Sequence, residues 1–106
     1  KSIDEIDFEK SGGLVPVIVQ DANTKDILTL AYTNKESLEL AKKTGNSWFW
    51  SRSRNKLWMK GEESGNTQKI REILVDCDSD AIIYLVEPSG PACHTGEKVC
   101  FHHELK

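Results

Sequence analysis

The sequence predicts an α+β fold that is mostly β: a small, twisted, mixed or antiparallel sheet, barrel-like, with one main helix. Three observations predict it. Short apolar, β-branched segments bounded by turn residues recur along the chain. Only residues 34–44 are bracketed by helix start and stop chemistry. At 106 residues the chain suits one domain, spanning 1–106.

The elements follow in order. Residues 14–20 are apolar and β-branched, and Pro16 among them argues for an edge strand, since proline donates no ladder hydrogen bond. Residues 21–26 are turn chemistry, and 27–32 form a second strand, so the two read as a hairpin. Thr33 and Glu36 fit a capping box for the helix, and Gly45 fits its stop. Residues 47–51 are a short aromatic strand, and 52–65 read mainly as loop. Residues 68–77 are a long strand whose antiparallel partner is 81–87, joined through Asp78-Ser79-Asp80. Residues 88–96 carry two prolines and two glycines and read as an irregular loop.

Composition narrows the function. A net charge of −3 and a pI near 5.6 argue against a general nucleic-acid binder, which carries a basic excess. The longest apolar run, 81–86, is too short for a bilayer, and the start Lys1-Ser2-Ile3-Asp4-Glu5 is no signal peptide. Together these point to the cytoplasm. Three cysteines without a secretory leader suggest metal or catalytic use rather than disulfides.

Four constellations carry chemistry. In Asp76-Cys77-Asp78-Ser79-Asp80 the carboxylates alternate. On an extended chain they share a side and repel unless a cation lies among them, and oxygen ligands suit Mg²⁺ or Ca²⁺. The bland alternative is an acidic hairpin tip in water. An EF-hand loop is excluded, because its required sixth-position glycine is Ala81 and Pro88 would cut the exiting helix. On the same extended reading, Cys77 faces away from Asp76 and Asp78, which favours two separate metal sites over one cluster.

Cys77, Cys93 and Cys100 could hold Zn²⁺ as three thiolates with a fourth position open to water. Buried inert thiols and a structural zinc completed by His94, His102 or His103 are the rivals. Residues 48–60 interleave Trp48, Trp50 and Trp58 with Arg52, Arg54, Lys56 and Lys60. Arginine forks suit phosphate and indoles stack on bases, though a solvated basic loop or a small RNA-binding module would look similar. Finally, Gly61 and Gly65 in the segment 61–68 permit close backbone approach to a ligand.

Together these segments resemble phosphoribosyl-AMP cyclohydrolase. The matching residues are Leu14-Val15-Pro16 with Gln20-Asp21, Leu30-Ala31-Tyr32 with Asn34, and Trp50-Ser51-Arg52-Ser53-Arg54. They continue through Leu57-Trp58 with Lys60-Gly61-Glu62, Ser64-Gly65-Asn66 with Gln68, and Asp76-Cys77-Asp78 with Asp80. Pro91-Ala92-Cys93-His94-Thr95-Gly96 with Cys100-Phe101 complete the set. Thr33 stands where the family usually has Met, and Val99 where Ser is common.

The resemblance implies the monofunctional enzyme of histidine biosynthesis, an intertwined homodimer with its active sites at the interface. It implies Zn²⁺ held by Cys77 of one subunit and by Cys93 and Cys100 of the other, and Mg²⁺ at Asp76, Asp78 and Asp80. The implied substrate is phosphoribosyl-AMP, whose adenine ring is opened at N1–C6 by zinc-bound hydroxide. His94, beside Cys93, is the candidate for proton transfer. Trp50, Ser51, Arg52, Ser53, Arg54, Lys60, Gly61, Glu62, Ser64, Gly65, Asn66 and Gln68 are the candidate substrate contacts, with Arg52 and Arg54 on phosphate. His102 and His103 fall outside the motifs and receive no role.

Overall fold

The computed structural model describes residues 1–106, the Ser11 side chain excepted. Six strands and one α-helix follow two single-turn 3-10 helices, Ile3–Glu5 and Glu9–Ser11. The strands are β1 (Val15–Asp21), β2 (Ile27–Thr33), β3 (Trp48–Ser51), β4 (Lys56–Met59), β5 (Gln68–Val75) and β6 (Ile82–Pro88), and α1 is Lys35–Thr44. The mostly β, α+β class expected from sequence is what forms. A four-stranded mixed sheet runs β2-β1-β6-β5, and a two-stranded ribbon pairs β3 with β4.

The sheet is built on alternation. Val15, Val17 and Val19 of β1 are buried, as are Ile82, Tyr84 and Val86 of β6. These strands pair in parallel, Val17 opposite Ile82 and Val19 opposite Tyr84, so one inner face gathers all six side chains. Leu38 and Ala41 of α1 cover part of that face, and Phe49 of the ribbon covers another part. Phe49 sits 5.6 Å from the Tyr84 ring, and the Tyr84 hydroxyl donates to the Trp48 carbonyl at 3.0 Å. Burial raises the Tyr84 phenol pKa, which keeps that donor protonated.

Three local expectations are corrected. Pro16 does not mark an edge, since β1 is central. It is tolerated because β1 pairs with β6 only from Val17 onward, so Pro16 lies outside the parallel ladder. The helix cap is one residue later than Thr33 with Glu36 would put it. Asn34 accepts from the Ser37 amide at 2.8 Å, the Ser37 hydroxyl accepts from the Asn34 amide at 2.9 Å, and Thr33 instead ends β2 with its side chain buried. Gly45 closes the helix in the left-handed region, φ +76°, as expected. The third correction is β4, which lies inside the stretch read as loop. It pairs with β3 from Trp48 opposite Met59 to Ser51 opposite Lys56, and Asn55 (φ +52°) turns the chain between them.

The long hairpin also ends sooner than expected. β5 stops at Val75, and residues 76–80 form the turn. Strand alternation therefore does not reach Cys77, and its thiol is not directed away from the aspartates: Sγ lies 3.8 Å from the Asp78 carboxylate.

Candidate active site

Two clefts flank the β3–β4 ribbon. The first, about 530 Å³, is lined by Leu30, Ala31 and Tyr32 of β2, by Trp50, Ser51, Arg52 and Ser53, and by Trp58. The second, about 270 Å³, is lined by Arg54, Trp58, Met59, Lys60, Gly61, Glu62, Glu63, Ser64 and His94. Trp58 belongs to both, and its ring is fixed from behind by Phe49, 5.0 Å away. The structure thus brings together most of the residues nominated as substrate contacts, and adds His94 from the loop that follows β6.

Gly65, Asn66 and Gln68 line neither cleft. A side chain at Gly61 would place its Cβ 2.4 Å from the Asn66 carbonyl carbon and the Thr67 nitrogen, and one at Gly90 would strike the Asn66 side chain at 2.2 Å. These glycines let the loop pack on itself, so the close approach they permit is to protein. Gln68 is 1% exposed, with neither amide atom partnered, beside the equally enclosed Ser47 hydroxyl. Its backbone carbonyl accepts from the Ser47 amide at 3.1 Å.

The acidic turn gathers its ligands. One ligand oxygen from each of Asp76, Asp78 and Asp80 lies within 4.8 Å of the others. Turn closure does this: Asp76 Oδ1 accepts from the amides of Asp80 at 2.9 Å and Ala81 at 3.2 Å, with Ser79 at φ +61°. A cation already sits beside two of the three. Lys10 Nζ lies 2.7 Å from Asp80 Oδ2 and 3.7 Å from Asp78 Oδ2. This pairing holds Asp80 below the usual carboxylate range and raises Lys10. A hard cation fits the donor set: the carboxylates converge and accept a positive charge.

The cysteine loop does not gather its ligands. Cys77 is exposed, and Cys93 and Cys100 are half-buried. Among the described residues the three thiols form no common cluster within the chain, the aspartates being the group that does. Cys93 has the chemistry of a thiolate ligand. Hydrogen bonding from Thr95, with His102 Nε2 3.7 Å from the sulfur, lowers its pKa to about 6. The loop is tied to the β1–β2 hairpin. Lys98 Nζ reaches Asp26 at 2.8 Å and buried Asp21 at 3.3 Å, and the Cys100 amide donates to the Leu28 carbonyl at 2.7 Å. Burial alone would raise Asp21, but the Asn23 and Thr24 amides and Lys98 outweigh it and hold the carboxyl below its usual range.

Sequence reasoning did not nominate Tyr32 or Lys10; it named Trp58 only as a stacking indole and His102 only as a rival zinc ligand without a final role. Tyr32 and Trp58 stood in the quoted motifs, so their aromatic character beside the arginines was a usable signal. The contact of Lys10 with Asp80 spans 70 residues and that of His102 with Cys93 spans nine, and no local pattern announces either. A separate, mainly apolar cavity is lined by Ile3, Ile6, Leu38, Ile73 and Val75, with Lys1, Ser2 and Lys42 also on its wall.

Comparison with known proteins places the chain. The model of the phosphoribosyl-AMP cyclohydrolase family matches residues 29–102. A phosphoribosyl-AMP cyclohydrolase of Nitrosopumilus maritimus is 88% identical over 106 residues, covering 100% of this chain and 98% of that protein. One from Cenarchaeum symbiosum is 78% identical over 105 residues, covering 99% and 97%. The histidine biosynthesis bifunctional protein HisIE of Bacillus subtilis is 59% identical over 104 residues, 98% of this chain but 49% of that protein. The chain belongs to the phosphoribosyl-AMP cyclohydrolase family.

Proposed function

We propose that this member of the family hydrolyses 1-(5-phosphoribosyl)-AMP, opening the adenine ring at the N1–C6 bond in the third step of histidine biosynthesis. The observation that carries the reading is the second cleft, where His94 faces the arginine- and lysine-bearing ribbon across a space of about 270 Å³. A proton-transfer group and phosphate-binding cations thus share one opening beside a tryptophan wall. The substrate is a purine bearing two phosphorylated riboses, and those are the features such an opening recognises.

The chain's residues divide the work. Arg52 and Arg54 grip phosphate oxygens with planar forks, and Trp50 and Trp58 offer faces to the purine. Water adds across the C6–N1 bond: its oxygen joins C6, which becomes a carboxamide, and N1 leaves carrying a proton. His94 moves that proton. Cys77 of one subunit and Cys93 and Cys100 of the other would hold Zn²⁺, which when bound lowers the pKa of water towards neutrality. Asp76, Asp78 and Asp80 would hold Mg²⁺. The shared zinc site accords with three thiols that do not cluster within one chain. An intertwined dimer accords with the outer sheet face, where Leu30 and Leu74 are each 44% exposed. No helix among the described residues is long and apolar enough to cross a membrane. A cytoplasmic setting, with no nucleic acid or membrane partner, fits the substrate.

The test is direct. Zinc- and magnesium-loaded protein mixed with phosphoribosyl-AMP should change the ultraviolet absorbance as the purine ring opens. Unchanged absorbance with verified metal loading would reject the reading.

A further inference from the structure

Arg52 and Arg54 are two residues apart, yet they line different clefts. The turn between β3 and β4 separates them. The Arg54 amide donates to the Ser51 hydroxyl at 3.2 Å, which folds the loop back after Arg52. Arg52 lies over the Tyr32 ring, its guanidinium carbon 3.9 Å from the centroid, and this stacking holds it to the first cleft. Arg54 lies with Lys60 and His94 in the second. Trp58 is the wall between them.

We propose that the two clefts divide the substrate: the purine lies against Trp58, and each cleft takes one of the two 5′-phosphates, Arg52 holding one and Arg54 with Lys60 the other. This rests on the cyclohydrolase reading above. A purine substituted at N1 and at N9 carries its two riboses on different sides of the ring, so a divided cleft with a flat aromatic wall suits it. A single shared phosphate site would leave one dianion without a partner. The grips are unequal. No carboxylate lines the first cleft, whereas Glu62 and Glu63 share the second with its two cations. Glu62 is partly engaged, accepting from the Met59 amide at 3.4 Å. Loss of Arg52 therefore costs more than loss of Arg54. Tyr32 is a positioning residue, acting through Arg52.

The experiment is a double-mutant cycle on the metal-loaded enzyme with phosphoribosyl-AMP. Both arginines are exposed, so Arg52→Ala and Arg54→Ala should fold as the wild type does. Each should raise KM about tenfold or more, the scale of one charged hydrogen bond, with a smaller change in kcat. In the double variant the two losses in kcat/KM should multiply to within about twofold, as independent contacts do. A double variant no worse than the poorer single variant would mean that both arginines hold one phosphate, and would overturn the proposal. AMP, which has one phosphorylated ribose, gives a second reading as a competitive inhibitor. One substitution, not both, should raise its Ki; an equal rise in both overturns the division. If AMP does not inhibit, the cycle alone decides. If neither substitution moves KM while hydrolysis continues, the phosphate reading of the arginines fails and takes this proposal with it. Tyr32→Leu should move KM in the direction of Arg52→Ala, and Tyr32→Phe should restore it. Equal losses in both Tyr32 variants would remove Tyr32 from the account.

Discussion

The turn 76–80 and the loop 93–100 both present candidate metal ligands, but only the turn assembles them. Three aspartates within five residues meet because a tight turn closes on the Asp76 carboxylate, and Lys10 arrives as counter-charge. The thiols are spread over positions 77, 93 and 100, and folding one chain does not bring them into one cluster. Oxygen ligands in a turn are a local property, whereas thiols on separate elements need long-range structure, here proposed to be a second subunit. The loop is nevertheless held firmly, by Lys98 on Asp21 and Asp26 and by Cys100 on Leu28. It is anchored but its thiols are apart, while the turn has its carboxylates together and their charge only partly offset by Lys10.

The largest effect should come from breaking the thiol site. Cys93→Ala is expected to lose zinc and all activity. Unfolded and refolded with inactive Cys77→Ala protein, it should regain activity, to at most about half per heterodimer, because one shared site then keeps all three thiols. Heterodimers that form but stay inactive would place the ligands in a single chain and erase the contrast.

His94→Asn should retain zinc, measured by metal content, yet lose roughly 10²- to 10⁴-fold in turnover. Loss of zinc instead would make His94 a ligand, and the loop a structural site. His102, whose ring nitrogen lies 3.7 Å from the Cys93 sulfur, is the control. His102→Ala should change zinc affinity more than turnover at saturating zinc.

The carboxylate site should respond in two opposite directions. Asp80→Asn should weaken Mg²⁺ binding in calorimetry, while Lys10→Gln should tighten it by removing the competing ammonium. Lys10→Gln should also lower the melting temperature of the metal-free protein, where three carboxylates would be left facing one another. Magnesium binding unchanged in both variants would show that the turn is only a solvated acidic tip.

The smallest effect concerns the anchor of the loop. The Asp21 carboxyl is held below its usual range, so its contribution to stability is fully present above the ordinary aspartate pKa of about 3.9 and is lost as pH falls through the lower folded-state value. The melting-temperature advantage of wild type over Asp21→Asn should therefore be constant from neutral pH down to the carboxylate range and should vanish below it. A constant advantage at every pH would mean that Asp21 acts by packing alone.

Most strands, the helix and the family were legible in the residues alone. Alternating valines at 15, 17 and 19, the turn residues after Asp21 and the glycine at 45 act through neighbours one to four positions away, and such local chemistry can be read from a string. The composition of the site was legible too, because arginines, cysteines and aspartates reveal their chemistry without their positions. The remainder waited on the fold. Pro16 sits in a central strand because the parallel ladder starts one residue later. In β4 the run Lys56-Leu57-Trp58-Met59 shows no apolar–polar alternation, so its four residues become a strand only through pairing with β3. Gln68, nominated as a contact, is enclosed at the start of β5. Lys10 found Asp80 70 residues away, and Arg52 and Arg54, near neighbours in sequence, were sent to different clefts by one turn. Such outcomes depend on which surfaces meet in space, a long-range property that packing fixes and no local pattern records.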